Sequence, residues 1–268
     1  MRALAVVLAA CFVLPLPACG DGSAASGAAG EASGAAAEVA RCHAAWDRVV
    51  SERVVRGGVD YAAVAADRGD LDAFLACVRR VDPGRLPEPA RLAFLVNAYN
   101  ALVVDAVLAR YPGLESVRDV DGFFDEETHP VGGRERTLDD LEAEARKLDP
   151  RVHFAVVCAS TSCPDLLDGA FTGPALDRQL RRQTEAFLAD PTKGLRYDRA
   201  ANVLHLSSIF QWYAGDFTGG STVVAYFARG GVLDWVIDHL ADRRLAAELD
   251  ERRPSIRYME YDWSLNDR

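Results

Sequence analysis

The sequence predicts an α+β fold, a helix-rich single domain with a small antiparallel sheet, behind a secretory leader and a tether. Three observations carry that prediction. Apolar residues recur at helical spacing through the first half of the chain. Short β-rich runs bounded by turn residues appear only later, among further helices. No stretch past the first twenty residues reads as long and apolar enough to cross a bilayer, which excludes a multi-span membrane protein.

Composition narrows the class further. With 50% hydrophobic and 26% charged residues the chain has ordinary globular chemistry, not that of a disordered segment. Its formal charge is −10 and it has no basic run, so nucleic acid is not an expected partner. No phosphate loop, dinucleotide fingerprint or nucleophile elbow is present, and no cofactor is expected.

Residues 1–18 read as a signal peptide: Met1-Arg2 is the positive start, an apolar run follows, and Ala18 is the small residue before Cys19. Leu16-Pro17-Ala18-Cys19 resembles the lipoprotein processing box. Cys19 is therefore expected to carry lipid, with a bacterial membrane as its partner, although a plain signal peptide cut nearby gives the same leader. Gly20 rather than Asp after the cysteine favours the periplasmic side of an outer membrane. Residues 19–37 comprise that cysteine and a Gly/Ser/Ala tether reaching roughly 25 Å, and residues 38–268 form one globular domain.

Within that domain the first helix is expected over residues 36–55, ended by Gly57-Gly58. A second covers 70–81, with Leu71, Phe74, Leu75 and Val78 on its inner face. Residues 87–110 form a third, apolar all round and therefore central. Asn97 and Asn100 on it must find partners, because an unpaired buried amide costs about 1–3 kcal/mol. Thr137 and Asp140 look like a capping box opening a helix to residue 148. A strand is expected over 151–158, a helix over 174–188, and a hairpin from 194–197 and 203–206. Helices over 208–213, 222–228 and 232–240 and a final strand over 256–261 complete the reading.

Cysteines set the candidate chemistry. With Cys11 in the leader and Cys19 expected to carry lipid, Cys42, Cys77, Cys158 and Cys163 remain, and the simplest of their three pairings is Cys42–Cys77 with Cys158–Cys163. The densest constellation runs from Arg151 through His153 to Cys158, Cys163 and Pro164. In it Cys163 is a candidate nucleophile and His153 its base, with Asn97, Asn100 or Asp216 orienting or stabilising. Equally, Cys158–Cys163 reads as a structural bridge and His153 as a satisfied core residue. No second cluster completes a zinc site around Cys158, Cys163 and His153, so no metal is expected. The aromatic segments Leu206–Phe217 and Tyr258–Asn266 read first as core and cap.

These pieces together carry a resemblance. Ala93-Phe94-Leu95-Val96-Asn97-Ala98-Tyr99-Asn100-Ala101, Thr137-Leu138-Asp139-Asp140-Leu141-Glu142 and Arg151-Val152-His153-Phe154-Ala155 come first. Cys158 to Cys163-Pro164, Ser207-Ser208-Ile209-Phe210-Gln211-Trp212-Tyr213 with Asp216-Phe217, and Tyr261-Asp262-Trp263-Ser264-Leu265-Asn266 follow in order. The chain resembles the domain-of-unknown-function 547 family over residues 61–266, with Leu95 where that family tends to have Trp and Ala159 where it tends to have Gly. The resemblance implies the fold and leaves the function open. Such domains also occur inside plant and animal cells, where thiols stay reduced, which implies that Cys163 need not be bridged. Two readings stand: a lipid-anchored cysteine-dependent hydrolase or acyl transferase on an amide- or peptide-like substrate, or a non-catalytic binding module.

Overall fold

The computed structural model of the chain describes residues 23–218 and 231–268. The expected leader, Cys19 and the helix expected over residues 222–228 lie outside the described residues. Helix α1 (Ser23–Arg53) begins well before residue 36, within the segment expected to be tether. Alanine, the strongest helix former, is abundant there. The chain then reverses through Arg56 and Gly57, at φ 48° and 77°, between strands β1 (Val54–Val55) and β2 (Gly58–Val59). Two successive positive φ values give the twist that a two-residue hairpin needs. A side chain at position 57 would also collide with Asp165.

Helices α2 (Tyr61–Ala66) and α3 (Gly69–Arg80) follow, and a disulfide joins Cys42 of α1 to Cys77 of α3. Helix α4 (Glu88–Leu108) is the centre of the molecule, with Pro89 in its first turn and buried residues on every face. By length and composition it does pass as a membrane span, against the expectation above, but it is packed inside the protein, against α1, α3 and α5 (Leu138–Leu148). A short hairpin of β3 (His129–Val131) and β4 (Arg134–Arg136) precedes α5. The capping box that opens α5 is reciprocal: Asp140 N–H donates to Thr137 Oγ1 at 3.1 Å, and Thr137 N–H donates to Asp140 Oδ2 at 3.1 Å.

The strand expected over residues 151–158 is absent. In its place Pro150–Phe154 form a 3-10 turn, and residues 155–158 are irregular. Pro150 pre-sets the first turn, and Asp149 Oδ1 caps it by accepting from Arg151 N–H at 2.9 Å. No neighbouring strand takes up the following backbone. The Asn100 side chain of α4 does so, as described below.

Helix α6 (Leu176–Ala189) leads into β5 (Leu195–Asp198) and β6 (Val203–Leu206), which pair antiparallel with Leu195 opposite Leu206. The last strand, β7 (Ser255–Tyr258), runs parallel to β6, so this sheet is mixed rather than antiparallel. The reason is the connection. Helices α7 (Ile209–Trp212), α8 (Val232–His239) and α9 (Arg243–Arg252) lie between β6 and β7, and a parallel pair requires such a crossover.

Two hydrophobic clusters result, one around α4 and one around Phe154, Phe210, Phe217 and Val236. Val152 belongs to the first and Phe154 to the second, so His153 between them sits at the seam. The C-terminal segment closes this seam as a strap. Thr161 N–H donates to Ser264 O at 2.8 Å, Ser162 N–H to Asp262 O at 3.1 Å, and Asn266 N–H to Ala159 O at 3.0 Å. Ser116 Oγ donates to Trp263 O at 2.8 Å from the other side.

Candidate functional site

A cavity of about 490 Å³ opens at the seam. Helix α4 contributes Tyr99, α5 contributes Asp139 and Glu142, and the 3-10 turn contributes His153. The cysteine loop supplies Cys158, Cys163 and Pro164, and α7 with the residue after it supplies Trp212 and Tyr213. Tyr261 and Trp263 enter from the strap, while Arg118, Phe124 and Asp125 complete the rim.

The floor is a chain of charged and polar groups. His153, 3% exposed, places Nε2 at 2.8 Å from Asp216 Oδ2 and Nδ1 at 3.6 Å from Glu142 Oε1. A carboxylate only accepts, so Nε2 carries the proton that it donates to Asp216. Asp216 also accepts from Arg146 at 3.1 Å. Burial lowers the His153 pKa, and the Asp216 contact opposes that shift, so the ring is neutral at ordinary pH. Burial acts on Glu142 in the other direction, pushing its pKa up to about 7 against the hydrogen bond from Tyr213. Glu142 therefore gains or loses a proton near neutrality, at the bottom of a half-closed pocket. Tyr99 and Tyr213 are held neutral by burial, and Tyr261 is pushed up to about 12.

Cys158 and Cys163 are joined by a disulfide on the pocket wall. Cys158 N–H donates to Cys163 Sγ at 2.8 Å, and the Tyr261 hydroxyl lies 3.3 Å from both sulfurs. His153 shares the pocket with them, but its two nitrogens face carboxylates and neither is hydrogen-bonded to sulfur. The structure thus does not bring Cys163 and His153 into hydrogen-bond contact: Cys163 is joined to Cys158, and both ring nitrogens face carboxylates. Among the described residues no group of three or more His, Cys, Asp or Glu is arranged to hold a metal ion.

Asn97 and Asn100 do not reach the pocket. Asn97 Nδ2 donates to Phe171 O at 2.8 Å and Oδ1 accepts from Phe171 N–H at 2.9 Å. Asn100 Nδ2 donates to Ala155 O at 2.9 Å and Oδ1 accepts from Val157 N–H at 2.9 Å. Each amide does for an irregular segment what a neighbouring strand does in a sheet. Asn100 in particular fixes the backbone between His153 and Cys158, so its part in the site is to place those residues. Asp216, in contrast, is the direct partner of His153.

Glu142 was missed by the sequence reading, although a signal was present. Leu138, Leu141, Glu142 and Ala145 are the buried residues of α5, at i, i+3, i+4 and i+7. A glutamate in an apolar helical stripe marks a buried carboxyl that needs a partner or a purpose. Trp212, Tyr213, Tyr261 and Trp263 were noticed as aromatic segments but expected as core and cap. They line the cavity instead. Asp125 and Asp139, exposed at its mouth, carried no signal in the sequence.

The fold and site define a helix-rich α+β protein with an aromatic, carboxylate-bearing pocket closed by a C-terminal strap. Residues 83–188 match the model of the family described as Protein of unknown function, DUF547. That match takes in Asn97, Asn100, Glu142, His153 and both pocket cysteines, and ends before Asp216 and the strap. No curated protein and no solved structure matches the chain.

Proposed function

We propose that the protein is a non-catalytic binding module whose ligand site is the seam pocket, with Cys158–Cys163 as a structural bridge in its wall. One observation carries this reading. Both ring nitrogens of His153 face carboxylates, while Cys163 is tied to Cys158, so acyl transfer lacks its nucleophile and its base together. What remains is a preformed concave site of about 490 Å³, within the size range of small-molecule pockets. The processing box at Cys19 supports placing this module on a membrane by a lipid, at the end of the alanine-rich segment.

Mass spectrometry of the unreduced protein tests the pocket reading. A linked Cys158–Cys163 peptide and no iodoacetamide adduct on Cys163 is the expected result. A free Cys163 that alkylates near neutral pH, and more slowly in His153→Ala, overturns it in favour of the hydrolase or transferase. The anchor is tested separately: Cys19→Ser should move the protein from the membrane fraction to the soluble one, and unchanged sedimentation contradicts it.

A further inference from the structure

We propose that the pocket receives an organic ammonium group, seated on an aromatic ledge of Trp212, Tyr261 and Trp263 and balanced by Glu142 and Asp139. This inference rests on the binding reading above and names its ligand class.

The ledge is the first argument. Trp212 is 48% exposed at the cavity rim, an unusual position for so large an apolar ring. It stacks on Trp263 at 5.7 Å between centroids and meets Tyr261 at 4.9 Å, while Tyr261 meets Trp263 at 4.7 Å. Three rings in mutual contact form a rigid platform with negative π-faces. The Arg118 guanidinium already rests over the Trp263 ring at 5.3 Å, so this face accepts positive charge.

Charge is the second argument. The lining carries three acidic side chains, Asp125, Asp139 and the titrating Glu142, against one arginine, which disfavours an anionic ligand. Asp125 and Asp139 lie near each other at the mouth. Among the described residues, neither carboxylate has a basic side chain in ion-pair contact. Loss of hydration and the nearby Asp125 charge raise the Asp139 pKa with Arg146 opposing them, and a bound cation relieves the Asp125–Asp139 repulsion. The lining has no Asn or Gln side chain, so neutral hydroxyl-rich ligands find few of the amides that usually orient them.

A consequence follows for pH. Glu142 is surrounded by His153, Tyr99, Tyr213, Tyr261, Asp139, Arg146 and Asp216; of these, His153 and the tyrosines are neutral around pH 7. A cation favours the ionised glutamate, so binding strengthens as pH rises through neutrality.

Calorimetric titration of the full chain with choline and with its uncharged carbon isostere tests the assignment. Choline is expected to bind at least about tenfold more tightly than the isostere. Trp212→Ala, at a half-exposed position, should lose about tenfold while the fold is retained, and Glu142→Gln should flatten the pH dependence. Equal binding of the isostere, or binding of a methyl glycoside with none of choline, overturns the ammonium assignment while leaving the bridged pocket intact. A reactive, His153-dependent Cys163 overturns the binding reading itself, so the two failures are distinguishable.

Discussion

The two buried polar regions of this protein are built on opposite rules. On α4, Asn97 and Asn100 are almost fully enclosed, and each carboxamide exchanges a donor and an acceptor with a backbone segment. Nothing there is charged. At the pocket, the lining residues Glu142, His153 and Tyr213 join Asp216 and Arg146 in a second network, with a 3.6 Å gap between His153 and Glu142. The asparagines close a packing problem. The pocket leaves one open, keeping a carboxyl near its titration point against an aromatic wall. Closed networks hold a fold, and open ones are available to a ligand.

The sharpest way to break this comparison is to disable the closed network. Asn100→Leu strands the Ala155 carbonyl and the Val157 N–H, at about 1–3 kcal/mol for each buried group left unpaired. Asn97→Leu strands both polar groups of Phe171 at similar cost. Urea unfolding should show both losses. Only Asn100→Leu should also disturb the pocket, because its partners lie within the stretch between His153 and Cys158.

The open network should respond with the opposite sign. The Glu142 pKa is raised from 4.5 to about 7, so the folded state holds a proton that the unfolded state has released between those values. Its contribution to stability is present below about pH 4.5 and is lost as pH rises through 7. Glu142→Gln should therefore be more stable than the parent above neutrality, by on the order of 1–3 kcal/mol, and equal to it in acid. Thermal melts across pH measure this. His43 supplies an internal contrast. Buried near Phe74 and Phe94 with Nε2 unpartnered, its pKa falls to about 4, so its contribution is lost as pH drops from 6.5 toward 4.

The smallest expected effect lies between the two regions. Ala159 is fully buried at φ 58°, a left-handed conformation that favours glycine. Ala159→Gly should stabilise by up to about 1 kcal/mol, read as a rise in Tm. A drop would mean that packing of the methyl group outweighs the backbone cost.

Much of the frame was legible in sequence because it is periodic. The α3 and α4 stripes, the Thr137 capping box and the β5–β6 hairpin all announce themselves over a few residues. The need of Asn97 and Asn100 for partners was legible too, since amides in an apolar helix must be satisfied. The segment over 151–158 was misread because an apolar, β-branched run looks the same whether a strand or a distant side chain takes its backbone hydrogen bonds. Here the partner is Asn100, more than fifty positions away. Tyr261 and Trp263 reach the pocket only through the strap, a long-range return with no local signature. Glu142 was readable from its helical spacing, but only by asking why an acid occupies the apolar stripe.

In this structure His153 belongs to the carboxylates and not to the sulfurs. NMR titration of its imidazole tests this most directly. Asp216→Asn removes the negative charge that opposes burial, so the His153 pKa should fall further below 6.5. The double variant Cys158→Ser with Cys163→Ser should leave it unchanged. A His153 titration that ignores Asp216→Asn but moves when the sulfurs are removed would contradict the claim and restore the cysteine–histidine pair.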